Sequence, residues 1–536
     1  MRSPIRSSAH AAQALPFKAA ASLAVFFSVW ACSPAYPPPP ESRSEPVADT
    51  LHGIEFVDPY RWLEDQESPE TRAWIDAQNA YAETIIGQSP LRTELETRLA
   101  ALMDAHDFGS PIRGGDYEYF WLRRQGTELP VIYRRPAPDS SVPLDPEAEY
   151  EVIIDPHGWS PDNTVRAEIG SSSHDGRYLI YRVRHGGQDE VEIRIRDLET
   201  GADLPDSLPN GLYSSISWNR DGSGFYYSAR SRTSGARIRF HRLGTEISSD
   251  EELFGQGYGP DKFVGLRQVD GGRYFIYDVW HGWSRIEVYA QDMSNGGPIT
   301  EIAGPELDAR FYPQFHAGKL YMLTNLDAPN NRIVAVDLER PRRDDWTVVI
   351  PESADPLQSF TFIEDKLYAT YLHDVSPRIK IFELDGTPAG DLAVPELHTA
   401  SIRSGGEGKA FLTLSSFTQP AITYRIDLDS GERDVWTQRN VSFDPAGFEV
   451  KQVWYPSKDG TRIPMVLVHR AGLDLTGDHP TWLAGYGGFL AALTPRFDPM
   501  ALAFVERGGV YAMANLRGGS EFGERWHRAG MLENKQ

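Results

Sequence analysis

The chain has 536 residues, and its 53 Lys+Arg against 76 Asp+Glu leave a formal charge of −23. That balance argues against a nucleic-acid surface, which needs clustered positive charge. The chain holds one cysteine, which excludes an internal disulfide framework, a Cys-cluster zinc site and a cysteine-ligated iron–sulfur cluster, while 40% hydrophobic content with 13 Trp, 24 Tyr and 24 Phe excludes wholesale disorder.

Residues 19–31 read AAASLAVFFSVWA, without a charge, after Arg2, Arg6 and Lys18. A helix of that length rises about 20 Å, too short for a hydrocarbon core of about 30 Å. Positive residues before a short apolar run predict a secretory signal over 1–31. The lone Cys32 follows directly, and Val29-Trp30-Ala31-Cys32 resembles a bacterial lipoprotein processing box. Three readings stay open: lipidation of Cys32, ordinary cleavage near Ala31, or a misplaced start codon. Residues 32–49 include four consecutive prolines, Pro37 to Pro40, and read as an extended spacer. The protein is expected to be exported, either periplasmic or held at a membrane only through a lipid anchor.

A helical segment is predicted over 50–113. Ser68-Pro69 and Ser89-Pro90 are helix starts, a hydroxyl N-cap followed by proline at the first helical position. Trp74, Ala77, Tyr81 and Ile85 form one stripe, and Leu91, Leu95, Leu99 and Leu102 the next. These read as core contacts. Two amphipathic helices need a partner elsewhere in the chain.

From residue 114 to 445 a unit recurs: a Gly/Asp turn, a basic or polar residue, then aromatic and aliphatic residues. Copies occur at Gly115-Asp116, Asp175-Gly176, Asp221-Gly222, Gly271-Gly272, Gly318, Asp365 and Gly408. Successive anchors from Gly176 are 46, 50, 46, 47 and 43 residues apart, and the first step, from Asp116, is 60. A second signature marks outer hairpins: Asp197-Leu198, Asp337-Leu338, Glu383-Leu384 and Asp427-Leu428. Periods in the forties with about four strands per unit predict a β-propeller, here of seven blades.

Residues 446–536 change class. A hairpin turning at Ser457-Lys458-Asp459-Gly460 precedes an apolar strand that enters Gly485-Tyr486-Gly487-Gly488-Phe489. A helix at 501–506 and a buried strand at 510–514 follow, ending on Asn515-Leu516-Arg517-Gly518-Gly519. This is the opening of an α/β sheet. No Gly-x-Ser-x-Gly elbow is present; Gly518-Gly519-Ser520-Glu521-Phe522 comes nearest, and Ser520 reads as a turn residue. There is no His-Glu-x-x-His zinc motif and no phosphate loop. The fourteen histidines are scattered; His157, His281 and His527 stand out without further support.

Together these segments resemble the prolyl oligopeptidase family of serine peptidases. The likeness is carried by Asp58-Pro59-Tyr60-Arg61-Trp62-Leu63-Glu64-Asp65, the 455–461 turn, Gly485 to Phe489, and Ala514 to Glu524. Thr324 to Pro329 and Tyr371 to Val375 look like propeller segments of the same family. The resemblance implies a seven-bladed propeller capping an α/β-hydrolase domain built from the N-terminal helices and the C-terminal part. It implies a monomer without cofactor or metal, acting on short proline-containing peptides that the propeller admits. Tyr486 matches the family's oxyanion-hole tyrosine, and Phe489 an aromatic near the specificity pocket. Arg517 is expected to be structural. The family's serine, aspartate and histidine match nothing before Gln536, so an incomplete hydrolase domain, inactive alone, is expected. The rival reading is a non-catalytic exported propeller lipoprotein that binds peptides.

Overall fold

A computed structural model describes residues 37–87, 89–137, 142–406 and 408–535. The apolar run at 19–31 and Cys32 lie outside them. Among the described residues no helix is long and apolar enough to cross a membrane.

Residues 37–94 form a unit of their own. An antiparallel hairpin, Val47–Leu51 with Ile54–Asp58, turns at His52-Gly53, both with positive φ as a tight two-residue turn requires. Helix α1 (Pro69–Ala82) starts where the sequence predicts, with the Ser68 hydroxyl accepting from Thr71 N–H at 3.1 Å. Its aromatic stripe differs from expectation. Trp74 donates to Ser42 Oγ at 2.9 Å, Gln78 to Pro40 O at 3.2 Å and Tyr81 to Pro37 O at 2.7 Å. The proline-rich stretch from Pro37 is therefore strapped along α1 rather than free. Prolines leave their carbonyls unpaired, and the helix supplies the donors.

Helix α2 spans Pro90–Met103. Its leucines Leu95, Leu99 and Leu102 pack with Leu502 and Ala503 of helix α3 (Pro499–Val505), and Arg98 binds Glu506 at 2.6 Å. That is the docking partner an amphipathic helix needs.

The repeat folds as seven antiparallel blades, as its period predicts. Their innermost strands begin at Asp107, Val165, Leu212, Phe263, Phe311, Leu357 and Thr399. Blade 1 begins at Asp107–Phe108, before residue 114; a two-residue strand shows no alternation to read. The long first step arises inside blade 1, where Val131–Pro136 and Glu151–Ile154 are joined by a long connection. One continuous strand, Asp203–Trp218, serves two blades: its first half pairs outward with Val191–Asp197 and its second half with Gly224–Arg230.

The two repeated signatures meet in space. The basic residue opening the second strand reaches the acidic residue closing the third: Arg177–Asp197 at 3.5 Å, Arg273–Asp292 at 3.3 Å, Lys366–Glu383 at 3.6 Å and Lys409–Asp427 at 2.8 Å. The acid also caps its own turn, as when Asp197 accepts Glu199 N–H at 2.9 Å and Asp427 accepts Ser430 N–H at 2.9 Å. Such partly exposed pairs add little stability; they fix hairpin register.

Apolar clusters join every consecutive pair of blades from 1–2 to 6–7. The seam between blades 7 and 1 is different. Thr413, Ser415, Thr423 and Thr437 face Asp107 and Ser110 across a cavity of about 360 Å³. Among the described residues no strand of blade 1 pairs into blade 7.

The C-terminal sheet runs Phe448–Pro456, Arg462–Arg470, Val510–Ala514, Thr481–Gly485; the last two are parallel, with α3 between them in the chain. Asp498 caps α3 by accepting from Met500 and Ala501 N–H. Val510–Ala514 is buried throughout, as its unbroken apolar sequence predicts. Phe417, in a hairpin of blade 7, enters this core beside Val466, Val505 and Met513. Helix α4 (Gly523–Arg528) follows.

Candidate active-site loop

Ligands of open α/β sheets bind outside the carboxyl ends of parallel strands. Strand Thr481–Gly485 ends there, and its exit loop carries Tyr486 and Phe489. The loop is tightly folded. Gly487 has φ +60°, and a Cβ on it would lie 2.6 Å from Leu516 Cβ. Phe489 and Leu490 are non-glycine residues at φ +52° and +58°, a costly pair of conformations held by surrounding contacts. Leu490 N–H donates to Gly518 O at 3.2 Å, Ala491 N–H to Gly488 O at 3.0 Å, and Lys535 Nζ to Gly487 O.

Tyr486 is 52% exposed and Phe489 60% exposed, their rings 6.3 Å apart. Among the described residues no group bonds the Tyr486 hydroxyl, which leaves it free to donate. Phe489 meets Trp283 edge-on at 6.1 Å. Trp283 sits at the tip of the hairpin joining Tyr274–His281 to Arg285–Asp292 in blade 4. Three exposed aromatics thus line one wall shared by propeller and sheet. Sequence reading missed Trp283; an aromatic at a hairpin tip beside Gly282 was the available signal.

The base of the Trp283 hairpin is fixed by Glu287, which is buried. It accepts Tyr258 OH at 2.7 Å and Tyr289 OH at 2.9 Å, and pairs with His281 Nε2 at 2.5 Å. Burial pushes the His281 imidazole below its ordinary value despite the Glu287 charge. His281 therefore supports the hairpin. His157 pairs with Asp155 at 2.7 Å in a turn, and His527 is buried 3.7 Å from Glu524.

The second loop, 515–523, supports the first. Arg517 pairs with Asp459 at 2.5 Å and donates to Ser457 Oγ at 3.2 Å, a structural tie to the 457–460 turn. Backbone donation from Thr461, with Arg517, holds the Asp459 carboxyl down to about 2. Ser520 donates to Gln358 Oε1 at 2.8 Å and accepts Gln358 Nε2 on its carbonyl at 3.1 Å, so it bridges to blade 6. Between them lies a cavity of about 270 Å³ lined by Arg310, Tyr312, Gln358, Leu490, Ser520 and Glu524.

The arrangement offers a free phenol donor and an aromatic wall at a strand end, with a polar cavity beside it. That set suits an oxygen that gains charge and a flat apolar ring.

Comparison with known proteins shows the family. Residues 39–439 match the model of the prolyl oligopeptidase N-terminal β-propeller domain, and residues 495–536 that of the prolyl oligopeptidase family. A prolyl endopeptidase of Elizabethkingia meningoseptica is 30% identical over 510 residues, covering 93% of this chain and 71% of that protein. Prolyl oligopeptidase A of Galerina marginata is 30% identical over 547 residues, covering 93% of this chain and 73% of that protein. A solved structure from a study of two prolyl endopeptidases superposes with a TM-score of 0.85 at 32% identity, covering 93% of this chain and 74% of that one. Prolyl oligopeptidase B of Galerina marginata, bound to a 35-residue hydrolysis and macrocyclization substrate, superposes with a TM-score of 0.82 at 27% identity, covering 92% and 74%. The chain belongs to the prolyl oligopeptidase family.

Proposed function

We propose that residues 37–535 form the propeller and the oxyanion side of a prolyl-specific serine peptidase acting on short peptides. The observation that carries this is the free Tyr486 hydroxyl at a parallel-strand end, beside the Phe489–Trp283 wall. In acyl transfer a serine attacks the prolyl carbonyl and charge develops on its oxygen. Tyr486 donates to that oxygen, and Phe489 with Trp283 takes the ring and the neighbouring peptide. A neutral donor aimed at the developing charge contributes about 3 kcal/mol to the transition state.

The propeller restricts access to short peptides, a reading that its seven-bladed fold supports. Because the sequence holds no Gly-x-Ser-x-Gly elbow, the 536 residues alone are expected to turn over no substrate. Turnover of a Gly-Pro-linked fluorogenic peptide by this chain, abolished by a serine-directed inhibitor, contradicts that. The family match favours this reading over a non-catalytic peptide-binding lipoprotein. Export and lipidation at Cys32 complete the proposal, supported by the basic residues and apolar run before it. Incorporation of labelled fatty acid, lost in Cys32→Ser, tests it.

A further inference from the structure

The loop that presents Tyr486 continues as an irregular segment to Asp498. Within it, the peptide of Leu493 is gripped from both sides. Its N–H donates to Glu521 Oε1 at 3.0 Å, and its carbonyl accepts Asn515 Nδ2 at 2.7 Å. Asn515 Nδ2 also reaches Glu521 Oε1 at 3.3 Å, closing a triangle. Glu521 is 1% exposed and Asn515 is fully buried.

Among the described residues no cation pairs with Glu521. Arg517 of its own loop is committed to Asp459, and Glu524 of helix α4 to Arg310 and Arg528. On the segment it grips, the charged residues are Arg496 and Asp498; Asp498 caps α3, and neither is bonded to Glu521. Two acceptors are buried without a donor, Glu521 Oε2 and Asn515 Oδ1. An ionised Glu521 leaves both unsatisfied and adds a buried charge without a counter-ion, the costly arrangement in a protein interior. A proton on Oε2 removes the charge and turns one of the two acceptors into a donor. Burial also pushes this carboxyl up, against the weaker pull of Leu493 N–H, its own N–H, the Asn515 amide and the Trp526 indole, whose N–H is given to Leu516 O at 3.1 Å.

We propose that Glu521 is the positioning residue of the Tyr486 loop and works as a neutral carboxylic acid, fixing Leu493 through Oε1 while its proton stays on Oε2. The catalytic consequence rests on the oxyanion role of Tyr486 proposed above; the protonation and the grip do not.

Two measurements on the 536-residue chain test it. The first is an infrared difference spectrum at pH 7 between wild type and Glu521→Gln. It is expected to show loss of a protonated-carboxyl stretch, and loss of carboxylate bands instead overturns the proposal. The second is hydrogen exchange over residues 486–493. Glu521→Gln keeps an acceptor at Oε1 and places a donor at Oε2, so protection matches wild type. Glu521→Ala removes the grip, and exchange there rises at least tenfold while the blade 4 strand Tyr274–His281 is unchanged. A Gln variant that exchanges like Ala, or an Ala variant that exchanges like wild type, overturns it. If Glu521→Ala fails to fold, the Gln variant and the infrared spectrum still decide. Tyr486→Phe leaves loop protection unmoved, so failure of the oxyanion reading is seen separately.

Discussion

Arg310, at the start of blade 5, and Glu524, in helix α4, meet at 2.7 Å with 5% and 11% of their side chains exposed. Glu524 is also held by Arg528 at 2.8 Å, and its backbone N–H donates to Pro329 O at 2.8 Å. A charge pair sealed from water thus ties the propeller to the C-terminal sheet, next to the cavity below the Tyr486 loop.

The pair sets a pH dependence. Burial works to raise the Glu524 carboxyl, but His527, Arg310 and Arg528 outweigh it and bring it from 4.5 to about 2. A folded-state value below the unfolded one contributes stability above pH 4.5 that is lost as pH falls toward 2. The contribution is about 3 kcal/mol at pH 7, at about 1.4 kcal/mol per unit. Glu524→Gln should therefore lower the urea midpoint at pH 7, and the gap to wild type should narrow below pH 4.5. A gap unchanged down to pH 3 contradicts the assignment.

Phe417 couples the same two parts through apolar contact. It is 4% exposed, packs beside Val466, Val505 and Met513, and meets Tyr511 edge-on at 5.7 Å. Phe417→Ala should cost about 3–4 kcal/mol. Exchange should quicken in Val510–Ala514 and α3 while the blade 4 strands stay protected. Uniform loss of protection would mean that the sheet and propeller unfold as one unit.

Gly518 and Gly460 separate crowding from backbone strain. Both have positive φ, +107° and +82°. A Cβ at Gly518 would fall 2.2 Å from Gly487 O, whereas at Gly460 it meets nothing within 4 Å. Gly460→Ala should cost about 1 kcal/mol from conformation alone. Gly518→Ala should cost more and displace the Gly487 carbonyl, raising exchange over 486–493. Equal thermal shifts for the two variants contradict the close approach.

The propeller was legible in the sequence because its turns and hairpin acids recur at one period, and each copy has a fixed place in a blade. The strand–helix–strand ending at 514 was legible from unbroken apolar runs bounded by glycines, whereas the Asp498 cap that starts its helix at Pro499 was not read. Tyr486 and Phe489 were found only through the motif around them, since an exposed aromatic in a glycine loop has no signal of its own. The pairing of Trp283 with Phe489 was not legible: they lie 206 residues apart (489 − 283), and only the fold brings them together. The strap of Pro37 to Ser42 along α1 was missed for a related reason. Trp74 and Tyr81 carry helical spacing whether they face a core or, as here, donate to the Ser42 hydroxyl and the Pro37 carbonyl. Glu521 drew no reading of its own, because burial cannot be read from a polar residue among glycines.

The proposed oxyanion role of Tyr486 is open to direct test. The most direct test joins residues 37–535 to the catalytic portion of a homologous prolyl endopeptidase and compares Tyr486→Phe with the parent on a Gly-Pro-linked substrate. The kcat should fall about 100-fold, equivalent to about 3 kcal/mol, with KM little changed. An unchanged kcat would remove Tyr486 from the oxyanion hole.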